Sequence, residues 1–153
     1  MKKVILVRYG EIILKGLNRP VFEEKLMGNI KKALYGMGKI DVKRSQARIY
    51  IEPNDDSFEF DAAVEKLVKV FGIVSLSIVL KIPSNFEDIK KYSLELAKKH
   101  IEKLAGKTGS ESIGFKVEAK RGDKSFPMQS PEICMELGGF LLENIPELKV
   151  DVH

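Results

Sequence analysis

Two small units of mixed helix and strand, an α/β fold of the α+β kind, are what this sequence predicts. Short β-like runs alternate with amphipathic stretches of helical period, and glycines and prolines punctuate them. Pro83 then separates a βαββαβ pattern from a second α/β pattern. A chain of 153 residues suits one ordinary domain or two very small ones.

Val4 to Tyr9 reads as the first strand. Phe22, Leu26, Ile30, Ala33 and Leu34 recur at helical spacing, with Asn18 as cap, Pro20, Glu23 and Glu24 in the first turn, and Gly36 and Gly38 as the stop. Lys39–Arg44 and Arg48–Glu52 form a hairpin pair. Phe60, Val64, Leu67, Val68 and Phe71 mark a second helix closed by Gly72, and Ile73–Leu80 is a fourth strand. This order is the ferredoxin-like arrangement, assigned to residues 1–82.

The second unit, 83–153, opens on Ser84 and Glu87 at capping-box spacing. Phe86, Ile89, Leu96, Ala97, Ile101 and Leu104 give a long amphipathic helix to Gly106, and 106–112 is a loop by composition. A strand over Ile113–Lys120 follows, then the segment KRGDKSFPMQSPE, a helix from Pro131 to about Asn144, and a strand from Leu148 to the last residue. An edge left open in mid-strand is one that natural domains avoid, so the chain is expected to be part of a longer protein.

Composition narrows the functions. Hydrophobic content of 44% supports a folded core, and no run approaches a membrane span. The short apolar run after the basic start lacks a cleavage site. A single cysteine, Cys134, excludes internal disulfides and multi-cysteine metal sites. A cytoplasmic setting is expected. Residues 1–50 carry twelve Lys and Arg against four Asp and Glu, so the first half could present a positive face to a polyanion.

The segment Lys120–Glu132 carries the chemistry. Lys120, Arg121 and Lys124 stand beside Ser125 and Phe126, ahead of a helix whose N-cap is expected at Ser130 with Pro131 first inside it. Free N–H groups at a helix start attract anions, and Phe126 offers a face for an unstacked base. Packing of Phe126 onto the core, with the cations as plain solvated surface, is the competing reading. Lys116 and Lys120 alternate with Val117 and Ala119, so both leave one strand face and extend the basic track. Arg8, Lys15 and Arg19 lie around a glycine-containing turn; either they touch RNA, or Arg8 pairs with Glu11 to pin the turn.

Two segments, RYGEIILKGLNRPVFEEKL (8–26) and FKVEAKRGDKSFPMQSPEICMELG (115–138), resemble the N-terminal region of the tRNA 4-thiouridine synthetases, the ThiI family of sulfurtransferases also linked to thiamine biosynthesis. The resemblance implies a ferredoxin-like domain and an incomplete THUMP domain that holds the unpaired 3′ end of the tRNA acceptor stem. An ATP- and Mg-using catalytic domain would follow, with a cysteine desulfurase as sulfur donor and a homodimer as the assembly. That domain's SGGxDS loop is not in these residues, so no catalytic residue and no cofactor is assigned to this chain. A small-molecule-sensing regulatory module, and the RNA-binding part of another THUMP enzyme such as a tRNA methyltransferase, are the alternatives.

Weaker signals are set aside. Gly106-Lys107-Thr108 lacks the earlier glycine of a phosphate loop, since Ile101 stands there. Cys134 shares a helical face with Leu137 and Leu141, as a buried inert thiol would. His100 and His153 suggest no metal site. Gly138 and Gly139 in a helix interior imply close packing on the sheet or close approach of RNA backbone.

Overall fold

The computed structural model describes residues 2–10, 19–108 and 113–150, excepting the side chains of 105–108. The chain divides into two compact units, Met1–Lys81 and Ile82–His153.

Unit 1 contains β1 (Lys2–Tyr9), α1 (Arg19–Ala33), β2 (Ile40–Ser45), β3 (Arg48–Pro53), α2 (Phe60–Leu67) and β4 (Ile73–Lys81). Its antiparallel sheet has the order β2-β3-β1-β4, which places the two hydrophobic strands β1 and β3 centrally. Period-two alternation gives that sheet two unlike faces. Ile5, Val7, Tyr9, Ile49 and Ile51 point to the side packed by Leu26, Ile30 and Leu34 of the α1 segment and by Ala63 and Leu67 of α2. Val4, Leu6, Arg8, Tyr50 and Glu52 fall on the other face by register.

Both helices of unit 1 differ in detail from the sequence reading. α1 begins at Arg19, so its first turn has no acid, and Glu23 lies one turn further in. α2 stops at Leu67, leaving Val68 and Phe71 65% and 84% exposed instead of on an apolar helical face. The turn closes at Gly72, whose φ of +101° glycine adopts without strain. A Cβ there would also stand 2.9 Å from the Phe22 ring.

Glu23 is 5% exposed, wedged between α1 and the sheet. A buried carboxylate is costly unless paired. Tyr9 donates its hydroxyl hydrogen to Glu23 Oε2, while Arg19 Nε stands 3.5 Å and Arg44 Nη1 3.8 Å from Oε1. The cluster ties β1, α1 and β2 together. Burial first, then the hydrogen bond to Glu23 and its charge, push the Tyr9 phenol up to about 12.

Unit 2 contains α3 (Phe86–Thr108), β5 (Ile113–Phe115), α4 (Ser130–Asn144) and β6 (Leu148–Val150), with β5 and β6 paired in parallel. Leu137, Leu141 and Ile145 are its buried centre, against which Phe86, Ile89, Ala97 and Ile101 pack. Leu94 joins them, whereas Leu96 is 54% exposed. The α3 cap is shifted by one residue from expectation. Asn85 Oδ1 accepts the Asp88 N–H at 2.8 Å, and Asn85 Nδ2 donates to Asp88 Oδ2 at 2.7 Å, so Asn85 and Asp88 replace Ser84 and Glu87. α3 also runs on through Gly106 to Thr108, and 109–112 lie outside the described residues. No described helix is long and apolar enough to cross a membrane.

Two predictions follow from unit 1. The β2–β3 hairpin turns on Gln46 and Ala47, with φ of 51° and 63°, a left-handed pair that Asn-Gly adopts at far less cost. Q46N/A47G is expected to stabilise the chain by about 1 kcal/mol, read as a higher urea midpoint at unchanged m. The raised Tyr9 pKa stabilises the fold fully below about pH 10, the ordinary tyrosine value, and that contribution is lost as pH rises towards about 12. Denaturant midpoints should therefore fall over that window, by on the order of 2 kcal/mol. The fall should be missing in Y9F, whose stability is lower throughout.

Candidate nucleic-acid interface

The β5 ladder ends at Phe115, five residues earlier than the sequence pattern suggests, with Leu148, Lys149 and Val150 of β6 as its partners among the described residues. Alternation nevertheless continues. Lys116, Glu118 and Lys120 are exposed, and Val117 and Ala119 are half-buried, with Val117 packed against the unit 2 core. Lys116 and Lys120 do leave one face, but Glu118 stands between them and takes Lys116 at 2.8 Å. The Lys116 ammonium holds the Glu118 carboxyl below the usual carboxylate range, first by hydrogen bonding and then by charge. The basic track is interrupted at its start.

Beyond Lys120 the chain folds on itself. Asp123 Oδ1 accepts from the Ser125 N–H at 2.9 Å and from the Ser125 hydroxyl at 2.6 Å, and the Phe126 N–H donates to the Asp123 carbonyl at 3.2 Å. This is an Asx turn, in which a side-chain oxygen completes the bend. The Ser125 hydroxyl and then its N–H hold the Asp123 carboxyl below its ordinary value. Arg121 is half-buried, and its Nη1 donates to the Phe126 carbonyl at 3.2 Å, closing the loop from the other side.

The predicted residues thus take different parts. Lys120 and Lys124 are exposed and make no ion pair among the described residues. Phe126 is half-buried on the loop they flank. Arg121 and Ser125 are internal fasteners that set where those side chains stand. Ser130 is not the N-cap: Gln129, extended at φ −78° and ψ 156°, occupies that place, and Pro131 sits in the first turn. Gln129 makes no side-chain cap bond. Glu118 and Asp123 were missed by reasoning that followed cations only. The D-x-S spacing of Asp123 and Ser125 was the available signal.

In unit 1, Arg8 Nη1 donates to Ser77 Oγ at 2.9 Å and to Ser75 Oγ at 3.4 Å, on the sheet face away from the helices. Arg19 is on the helix side, engaged with Glu23. The two are therefore not one patch. Lys15 and Glu11, and with them the expected Arg8–Glu11 pair, lie outside the described residues. Glu52, 6% exposed, was also missed. Lys81, Lys43 and Lys2 reach it at 3.0, 3.2 and 3.7 Å, and the hydrogen bond from Lys81, outweighing burial, leads in holding its carboxyl below the ordinary value.

A groove of about 650 Å³ runs beside α4, lined by Phe115, Val117, Met135, Leu142 and Val150. Cys134 lines it half-buried, not sealed in the core as its helical face suggested. A Cβ on Gly138 would meet Val117 at an ordinary 3.8 Å, and one on Gly139 would meet nothing within 4 Å, so close packing accounts for neither glycine.

Residues 4–77 match the model of a ThiI ferredoxin-like domain and 83–153 that of a THUMP domain. The probable tRNA sulfurtransferase of Acetivibrio thermocellus is 59% identical over 152 residues, covering 99% of this chain and 37% of that protein. Its counterpart from Lachnoclostridium phytofermentans is 45% identical over 154 residues, covering 100% and 37%. Among solved structures, a 4-thiouridine synthetase crystallised with RNA and bound ATP superposes at TM-score 0.79 and 39% identity, covering 100% of this chain and 36% of that one. PH1313 from Pyrococcus horikoshii gives 0.80 and 34%, covering 98% and 47%. The chain spans little more than a third of the length of the curated relatives it matches. With both domains in order and kinship over its whole length, the chain belongs to the tRNA sulfurtransferase family, whose ThiI ferredoxin-like and THUMP domains it carries.

Proposed function

We propose that this chain is the tRNA-holding part of a sulfurtransferase that makes 4-thiouridine at position 8 of tRNA and serves thiamine thiazole synthesis, with residues 1–82 and 83–153 as its two domains. The 120–130 loop takes the unpaired 3′ end of the acceptor stem. Lys120 and Lys124 contact phosphates, Phe126 stacks a base, and Arg121 with Ser125 keeps the loop in shape; Lys116, Ser130, Arg8, Lys15 and Arg19 are secondary candidates. The observation that supports this best is the loop itself, where internal hydrogen bonds engage Arg121, Asp123 and Ser125 while Lys120 and Lys124 stay exposed, with no ion pair among the described residues.

Uridine activation by ATP and Mg belongs to a domain with an SGGxDS loop, a sequence these 153 residues do not contain. A cysteine desulfurase supplying sulfur, a homodimer and a cytoplasmic setting complete the proposal. The relatives named tRNA sulfurtransferase and the synthetase crystallised with RNA support it.

Binding of tRNA over a salt series tests the loop. Each single-strand phosphate contact contributes about 0.7 to the log–log slope, so K120A/K124A should lower the slope by about 1.4. F126A should cost about 1–3 kcal/mol at every salt concentration, the worth of one stacked base. Trimming the 3′ overhang should abolish both differences; persistence of either after trimming would place the contact elsewhere.

A further inference from the structure

Among the described residues the unit 1 sheet ends on β2 at one side and β4 at the other, and the two edges are guarded differently. β2 displays Asp41, Lys43 and Arg44, all exposed, and charged side chains of this kind keep an unpaired edge from accepting a further strand. β4 has no such guard. From Val70 to Leu80 the chain carries no charged residue, in a protein of which 31% is charged. Val74 and Ile78 on this edge are 71% and 40% exposed, and Phe71 just ahead of it 84%. β4 is also the longest strand of the sheet, nine residues against eight for β1 and six each for β2 and β3. Its outer N–H and C=O groups are therefore the best template the sheet has for strand addition.

The order of side chains says which strand fits. Across Val74–Ile78, β4 reads Val-Ser-Leu-Ser-Ile, nearly the same in either direction. In an antiparallel pair with a second β4 centred on Leu76, that leucine stands across from its own copy, Ser75 from Ser77 and Val74 from Ile78. Each residue meets its own kind, and matched apolar and hydroxyl pairs are what stabilise neighbouring strands. The two-fold axis runs perpendicular to the sheet through this point, the isologous arrangement of most homodimers, and it keeps α1 and α2 of both copies on one face. An edge without charge offers no complementary pattern to a charged segment of another protein.

We infer that β4 is a homodimer interface, pairing antiparallel with β4 of a second copy about Leu76 and joining two four-stranded sheets into one. This rests on the homodimer proposed above and makes no use of RNA. Arg8 gives the interface a signature. Each Arg8 guanidinium, held over Ser75 and Ser77, comes to face its counterpart across the axis. The two repel and salt screens them, so the dimer should tighten as salt rises, the reverse of tRNA binding.

Sedimentation equilibrium of the full 153-residue chain, over a protein concentration series and a salt series, tests it. V74K/I78K gives β4 the guard that β2 already has and sets lysine against lysine in both outer pairs. Both positions are exposed, so its thermal midpoint should be retained. The parent is expected to be a dimer at concentrations where V74K/I78K is a monomer, with a dissociation constant that falls as salt is added. A dimer that persists in V74K/I78K overturns the β4 pairing and leaves the homodimer reading standing, whereas a parent monomeric at every concentration overturns both for this chain. Association that loosens with salt also overturns the pairing, because ion pairs would then hold the interface and residues 70–80 have none to give. Should V74K/I78K fail to fold, amide hydrogen exchange of the parent decides. Amides within 74–78 are expected to gain protection as protein concentration rises, and exchange independent of concentration overturns the inference.

Discussion

Two carboxylates buried in one small sheet domain govern where its positive charge can go. Glu23 lies on the helix side and Glu52 on the other face, at 5% and 6% exposure. An ionised carboxylate out of water must find cations or hydrogen-bond donors, at a cost of several kcal/mol if it does not. The surplus of eight positive charges in the first fifty residues is therefore not simply painted on the surface. Arg19 and Arg44 are drawn to Glu23, and Lys2 and Lys43 to Glu52. The two clusters differ in kind. Around Glu23 a neutral phenol supplies one bond and the arginines only approach it, whereas around Glu52 three ammoniums compete for two oxygens.

That difference follows from the strands. β3 reads Arg48-Ile49-Tyr50-Ile51-Glu52, a strict alternation that hides isoleucine under the helices and sends Glu52 to the opposite face. Lys43 reaches it from one neighbouring strand and Lys2 from the other, while Lys81 comes from beyond β1. Convergence of three long side chains on one strand end depends on a register shared by four strands. A one-residue slip would reverse every face.

How much of this was legible in sequence divides along the same line. The element order, the ferredoxin-like topology and most core positions could be read because hydrophobic period is a local property, visible over about ten residues. Glu23 and Glu52 could not, since a charged residue reads as surface until long-range pairing shows what stands opposite it. Element ends lie between these cases. The α3 cap sits on Asn85, not Ser84, because both spacings satisfy the same capping pattern and only backbone geometry chooses between them. β5 stops at Phe115 although alternation runs on to Lys120, because an extended backbone alternates its side chains whether or not its N–H and C=O groups are paired.

The 120–130 loop shows why the residues first expected to touch RNA divide into contacts and supports. Among its described residues unit 2 has three buried apolar side chains at its centre, a small core with which to pin an eleven-residue connection. The loop must organise itself. Asp123 folds Ser125 back, and Arg121 holds the Phe126 carbonyl, so two of the most polar side chains are consumed locally. Each ordered residue would otherwise cost about 1–2 kcal/mol of backbone entropy on binding. Arg121 serves better as a strut than as a third phosphate contact: a cation that fixes Phe126 in advance lowers the entropy charged to every contact the loop makes, whereas one more exposed lysine would add only its own.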